Sequence, residues 1–172
     1  MLDFGTGSGR NADALAAAGH RIVRIDDRAA ELAAPLPSAP GGFAAVVATH
    51  ALLHGTPAEI AARLSALAES LGRGGLLYAV FASTRDRRFE RGTRLAPYTF
   101  APDDGDERGV PHTYFDRGRL RALLEERFAL ESLRECAADG IAGRWAHPSS
   151  PLTGAVHWFA IGRRLSRLPR QT

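Results

Sequence analysis

The chain opens on Asp3-Phe4-Gly5-Thr6-Gly7-Ser8-Gly9, three glycines at alternate positions, and an acidic pair, Asp26 and Asp27, follows one helix and one strand later. With no Cβ in the way, such a turn lets the backbone pass close to a bulky polar ligand. It also feeds a helix predicted over 10–18, whose first amide groups lack intrahelical partners and face the same ligand. A carboxylate at the tip of the next strand suits a ribose diol, because it accepts from both hydroxyls. Together these features imply a nucleoside-cofactor site in an α/β domain.

The remaining bounds narrow the setting. A length of 172 residues is enough for one domain with a real core, and a single domain over 1–172 is expected. No apolar run approaches the ~20 residues of a bilayer span, and no basic region followed by an apolar block marks a signal peptide. Cys136 is the one cysteine, so an internal disulfide is excluded and a cytoplasmic location fits. The charge of +3 and pI near 9.7 raise the question of nucleic acid. However, Arg163, Arg164, Arg167 and Arg170 read as a solvated basic tail over 163–172, and Asp103, Asp104, Asp106 and Glu107 would repel phosphate. Neither a nucleic-acid nor a membrane partner is expected, and nothing in the residues speaks to oligomeric state. All 22 basic residues are arginine. Without lysine, Schiff-base chemistry, a Walker-A site and a Tyr-x-x-x-Lys dehydrogenase site are impossible.

Along the chain, strand and helix patterns alternate. Only Met1 to Phe4 precede the glycine turn, a truncated first strand where a central strand normally runs five or six residues. A strand over 21–25 follows, then a short helix over 27–33, a break at Pro35, Pro37 and Pro40, and a buried strand over 43–49. Thr56-Pro57-Ala58-Glu59 is a capped helix start, and Ile60, Leu64, Leu67 and Leu71 recur at helical spacing. Gly72, Gly74 and Gly75 are expected to end that helix before a strand over 76–83, whose unbroken apolar character suits burial on both faces. Residues 84–113 show no clear period and read as a long loop, of the kind that forms lids or binding segments over an acceptor site. Asp116 caps a last helix carrying Leu120, Leu123, Leu124 and Phe128, and strands over 129–135 and 156–162 are expected to pair antiparallel.

The glycine spacing differs from the Gly-x-Gly-x-x-Gly of dinucleotide enzymes. With Asp3, Asn11, Asp26 and this order of elements, the run LDFGTGSGRN resembles the class I S-adenosylmethionine-dependent methyltransferases, closest to the small tellurite-resistance-type group. The resemblance spans nearly the whole chain. It implies a Rossmann-like three-layer sandwich, mostly parallel, with an antiparallel last strand. It also implies S-adenosyl-L-methionine as cofactor: Gly5, Thr6 and Gly7 around the methionine part, Asp3 near its ammonium, Asp26 on the ribose hydroxyls, Asp27 beside the adenine, and Thr49, His50 and Leu53 along the sulfonium side. Three departures stand out. The chain starts inside the first strand, without the family's N-terminal covering helix. Only sixteen residues separate Asp26 from Phe43, so the third strand is expected to be missing. Ala44 stands where an acidic residue is common.

Methyl transfer from a sulfonium is an in-line displacement governed by alignment, and a base is needed only when the acceptor must lose a proton. His54 and His112 are the acceptor-side catalytic candidates. The i, i+4 pair His50 and His54 lacks the glutamate of His-Glu-x-x-His and a visible third ligand, so no metal is expected. Thr49-His50-Ala51-Leu52 is not the Asn-Pro-Pro-Tyr of amino-group methyltransferases acting on DNA bases, and the expected acceptor is a small molecule whose reacting atom stays open. Trp145, Tyr98 and Phe100 read either as acceptor walls or as packing aromatics. A cofactor-binding protein without turnover is the main alternative; a nicotinamide-dependent dehydrogenase is disfavoured by the glycine spacing and the missing Tyr/Lys pair.

Overall fold

The computed structural model describes residues 1–26, 36–137 and 154–166. Strand β1 (Leu2–Phe4) runs into the glycine turn and helix α1 (Arg10–Ala17), followed by β2 (Val23–Ile25) and β3 (Phe43–Ala48). Helix α2 (Pro57–Ser70) leads directly into the long strand β4 (Leu71–Ser83), and β5 (Thr93–Ala96), β6 (Thr99–Ala101) and β7 (His112–Phe115) come next. Helix α3 (Arg117–Glu125), β8 (Phe128–Ala137) and β9 (Val156–Arg164) complete the described chain.

The main sheet has the order β2-β1-β3-β4, all parallel, and continues through β9 and β8. Strand β9 runs against β4, and β8 runs against β9, so among the described strands of this order β9 is the one opposed to the rest. The expected Rossmann-like α/β fold with an antiparallel last strand is therefore the one observed. Among the described residues β2 is the edge, and residues 27–35, where a third strand was expected to be missing, lie outside them. The expected helix over 27–33 and Asp27 itself lie outside the described residues, as do Trp145, Arg167 and Arg170. Among the described residues no helix is long and apolar enough to cross a membrane.

Local chemistry explains the helix starts. The Thr56 hydroxyl accepts from the Glu59 amide while the Glu59 carboxylate accepts from the Thr56 amide at 2.7 Å, a complete capping box with Pro57 at the first helical position. Asp116 caps α3 by accepting from the Arg119 amide at 2.9 Å. The apolar stripe of α2, Ile60, Leu64, Leu67 and Ala68, is buried in a core shared with Phe4, Val46, Leu77, Phe81, Leu120 and Phe128.

Three expectations need correction. Gly72, Gly74 and Gly75 do not stop a helix; α2 ends at Ser70 and these residues lie inside β4. A Cβ on Gly72 would stand 2.5 Å from the Gly41 carbonyl oxygen, and one on Gly75 2.9 Å from that of Phe43, so the glycines permit close strand approach. Residues 84–113 are not a plain loop, because β5, β6 and β7 form an antiparallel meander there. Its pattern was hidden because its apolar side faces a local aromatic cluster: Phe89 stacks on Tyr98 and meets Phe100 and Tyr114 edge-on or tilted. Tyr98 and Phe100 thus anchor this segment, with Arg119 3.8 Å over the Tyr98 ring. Finally, Arg163 and Arg164 belong to β9, not to a solvated tail. Arg163 pairs with Glu131 and donates to the Gly74 carbonyl, and Arg164 donates to that of Leu71.

Two glycine variants separate steric from conformational demand. Gly42 has φ +81° and its Cβ would lie 2.3 Å from the Gly72 backbone nitrogen, whereas Gly74, at φ +69°, has open space. Gly74→Ala is expected to cost about 1–2 kcal/mol, and Gly42→Ala clearly more, in urea unfolding.

Candidate functional site

The glycine turn sits at the carboxyl end of β1, where the parallel strands β1, β2 and β3 all end. Gly5, Gly7 and Gly9 have φ of 75°, 48° and 79°, left-handed values that other residues adopt at a cost. The amides of Gly5 and Thr6 both donate to the Ile25 carbonyl at 2.9 Å, which ties the turn to the tip of β2 and brings Asp26 to the same end. A Cβ on Gly7 would meet nothing within 4 Å, so the backbone here borders open space. Asp3 lies beneath the turn, 1% exposed. The Thr6 hydroxyl donates to Asp3 Oδ2 at 2.9 Å, while Oδ1 is buried with no hydrogen bond among the described residues. Burial raises the Asp3 pKa, opposed by the Thr6 hydroxyl and a weaker pull from the Ala12 amide. Asn11, in the first turn of α1, donates to the Thr49 hydroxyl just past β3. Asp3, Gly5, Thr6, Gly7, Asn11, Asp26, Thr49 and His50 are thus gathered at one end of the sheet.

His50 carries the chain out of this turn region with φ 62°, a conformation that a non-glycine residue holds only under local constraint. It borders a cavity of about 570 Å³ together with Leu53, His54, Asp86, Glu107, His112, Tyr114 and His157. His50 and His157 meet edge to face at 5.0 Å, and burial, then the facing His157, holds the His50 pKa down to about 3. Burial likewise lowers that of His157, although Asp86 opposes it from 3.8 Å. Burial pushes the Tyr114 hydroxyl well above its ordinary value.

His54 and His112, named from sequence, are brought together. A single antiparallel bridge joins their backbones, and their rings meet edge to face at 4.8 Å. Between them stands Glu107, which the sequence only groups with Asp103, Asp104 and Asp106 as a phosphate-repelling acidic run. Its Oε1 is 3.4 Å from His54 Nε2, and its Oε2 is 3.2 Å from both His112 Nε2 and an Arg88 guanidinium nitrogen. The two imidazoles hold the Glu107 carboxyl well below the usual carboxylate range, against the opposing effect of burial. No local signal marks Glu107 as different from Asp103, Asp104 or Asp106. Its distinction comes from the meander, which folds residue 107 back over His54 and His112. Asp86 was equally unmarked: its carboxylate accepts from the Arg88 amide at 2.8 Å and the Val156 amide at 2.9 Å, fastening the start of β9 to the cavity wall.

The neutral, partly buried His50 makes stability depend on pH. Its pKa is about 3 in the fold and near 6.5 when exposed, so below pH ~6.5 the unfolded chain binds a proton that the native ring does not. Stability is therefore lost as pH falls from about 6.5 towards 3. His50→Asn, which tolerates the left-handed backbone, is expected to flatten the fall in melting temperature between pH 7 and 5.

No protein-family model matches the chain, and no curated protein matches it in sequence. Solved structures do. An S-adenosylmethionine-dependent methyltransferase from Methanosarcina mazei superposes with TM-score 0.69 at 20% identity, covering 95% of this chain and 91% of that one. The 1,6-didemethyltoxoflavin-N1-methyltransferase of Burkholderia thailandensis, solved with its acceptor and S-adenosylhomocysteine, gives 0.64 at 16% identity over 95% of this chain and 69% of its own. The [4+2]-cyclase SpnF gives 0.59 at 16% identity, over 95% and 74% respectively. The architecture is therefore that of the class I methyltransferase fold, which one of these neighbours uses for a cyclisation.

Proposed function

We propose that this protein binds S-adenosyl-L-methionine in the glycine turn and transfers its methyl group to a small molecule held in the adjoining cavity. The observation that carries the reading is the left-handed Gly7 backbone bordering open space in a turn whose Thr6 hydroxyl donates to the buried Asp3, a carboxylate with one oxygen that has no hydrogen bond among the described residues. That combination fits a ligand with a polar, cationic end lying against main chain.

Gly5, Thr6 and Gly7 would hold the methionine part, Asp3 would face its ammonium, Asp26 would accept the ribose hydroxyls, and Asp27 would stand beside the adenine. When bound, the cofactor supplies an electrophilic methyl on a sulfonium. The chain's own contribution is alignment and exclusion of water. The Asn11–Thr49 bond fixes the end of β3, and His50 turns the backbone from the cofactor region into the cavity wall. Keeping the ring of His50 neutral avoids placing a second positive charge beside a sulfonium. An acceptor seated against Leu53, His54 and Tyr114 would be held in line, which alone lowers a barrier by several kcal/mol. Where the reacting atom carries a proton, that proton leaves towards His54, Glu107 and His112. The narrower likeness to the tellurite-resistance-type group rests on the opening motif alone and forms part of this proposal.

Calorimetric titration tests the reading. S-adenosylhomocysteine is expected to bind and NADH is not. Gly7→Val should abolish binding by filling the open space, and Asp26→Ala should weaken it by ~1.5–3 kcal/mol through loss of charge-assisted hydrogen bonds. Unchanged affinity in both variants refutes the assignment. Cofactor affinity without transfer of a labelled methyl group to any small-molecule acceptor would support binding without turnover.

A further inference from the structure

We infer that His54, Glu107 and His112 form a binding site for one divalent transition-metal ion, with an open coordination position facing the cavity. The ligand atoms of the three residues all lie within 4.8 Å of one another. Two imidazole nitrogens and a carboxylate are a donor set that suits Zn²⁺ or its first-row neighbours.

The tautomer of His112 carries the inference. Its Nδ1 lies 2.8 Å from the Val110 carbonyl oxygen. A carbonyl only accepts, so Nδ1 bears a proton, which leaves Nε2 as the ring nitrogen available to a metal. The side chain is 4% exposed, and Nε2 makes no well-aligned hydrogen bond among the described residues. Glu107 Oε2 lies only 3.2 Å from it. An imidazole nitrogen and a carboxylate oxygen this close can hold a cation between them. The Val110 carbonyl has the position of the outer partner that typically orients a metal-binding imidazole.

The spacing of each imidazole from the carboxylate agrees. Ligands at ~2.0–2.1 Å from a tetrahedral zinc stand roughly 3.3–3.4 Å from each other. His112 Nε2 lies 3.2 Å from Glu107 Oε2 and His54 Nε2 lies 3.4 Å from Oε1, so the carboxylate meets each imidazole through a different oxygen. The bridge between residues 54 and 112 holds both imidazoles on rigid backbone. Arg88 sits on Oε2 and reduces the negative charge, while Asp103, Asp104 and Asp106 along the same cavity restore it. Half-exposed edges of His54 and Glu107 leave the remaining position open to the cavity. On the methyl-transfer reading, the ligand taken there is an acceptor hydroxyl or thiol, whose proton a coordinated cation makes easier to lose.

Metal-stripped protein titrated with Co²⁺ is the test. Visible d–d absorption of a four- or five-coordinate site should saturate at one ion per chain, and Zn²⁺ should displace it. His112→Ala and Glu107→Gln should each weaken Co²⁺ binding at least about 10-fold, while His20→Ala, an exposed histidine elsewhere, should leave it unchanged. Circular dichroism reports folding of each variant, and the two substitutions act at different elements, so one unfolded variant leaves the other informative. Absence of stoichiometric binding, or equal binding by all three variants, overturns the site; Nε2 of His112 would then be met by a proton. Co²⁺ binding is read without cofactor, so failure of S-adenosylhomocysteine to bind would count against the methyl-transfer reading and leave the metal site standing.

Discussion

The structure turns on Ala82, where the long central strand is paired on both edges at once. On one edge β4 runs antiparallel to β9, and Ala82 is registered with His157. On the other edge β4 pairs parallel with β3 as far as Ala79 and then parallel with β7, where Ala82 is registered with Tyr114. That second edge accommodates two neighbours in succession because β4 extends beyond the point at which β3 ends. His157 and Tyr114 flank Ala82 and both line the cavity, with Asp86 bonded to the first amide of β9. This part of the cavity wall follows from backbone pairing before any side chain shapes it.

Much of the fold was legible in the residues. The capping box at Thr56 and Glu59, the helical spacing of Ile60 to Leu67, and the continuous apolar run of β4 each express a local preference that tertiary packing reinforces. What escaped notice was non-local. Gly72 and Gly75 resemble a helix stop because glycine often serves there, but only the approach of Gly41 and Phe43 shows why they are needed. The meander of β5 to β7 lacks an alternating pattern because its apolar residues converge on Phe89 instead of the main core. The site divided in the same way. Asp3, the glycines and Asp26 lie within one βαβ stretch, so their pattern is local. Glu107 reaches its histidines from positions 53 residues after His54, and nothing nearby in sequence announces that meeting.

The two halves of the site use burial in opposite ways. At the turn, Asp3 is stripped of solvent with only the Thr6 hydroxyl clearly bound, and burial raises its pKa. In the cavity, Glu107 is partly buried too, yet the facing imidazoles lower its pKa strongly. The first carboxylate has only the minor influence of Arg24 against its burial, whereas the second has the Arg88 guanidinium and two imidazoles beside it. Burial therefore penalises the ionised form of Asp3, while Glu107 stays ionised among its neighbours.

His50 stands between these halves and belongs to both. Its strained backbone follows directly on Thr49, which Asn11 holds, and its ring meets His157 across the cavity mouth. A charged imidazole at this place would face His157, His54 and Arg10, each of which lowers its pKa further. Burial enforces the neutral state first, and this crowding of basic groups adds to it against an opposing pull from Glu107. A sulfonium approaching from the turn would meet a neutral polar ring first, with the anionic Glu107 beyond it. This gradient, neutral near the cofactor end and ionic at the far wall, would let a cationic methyl donor and an acceptor that loses a proton occupy one continuous space.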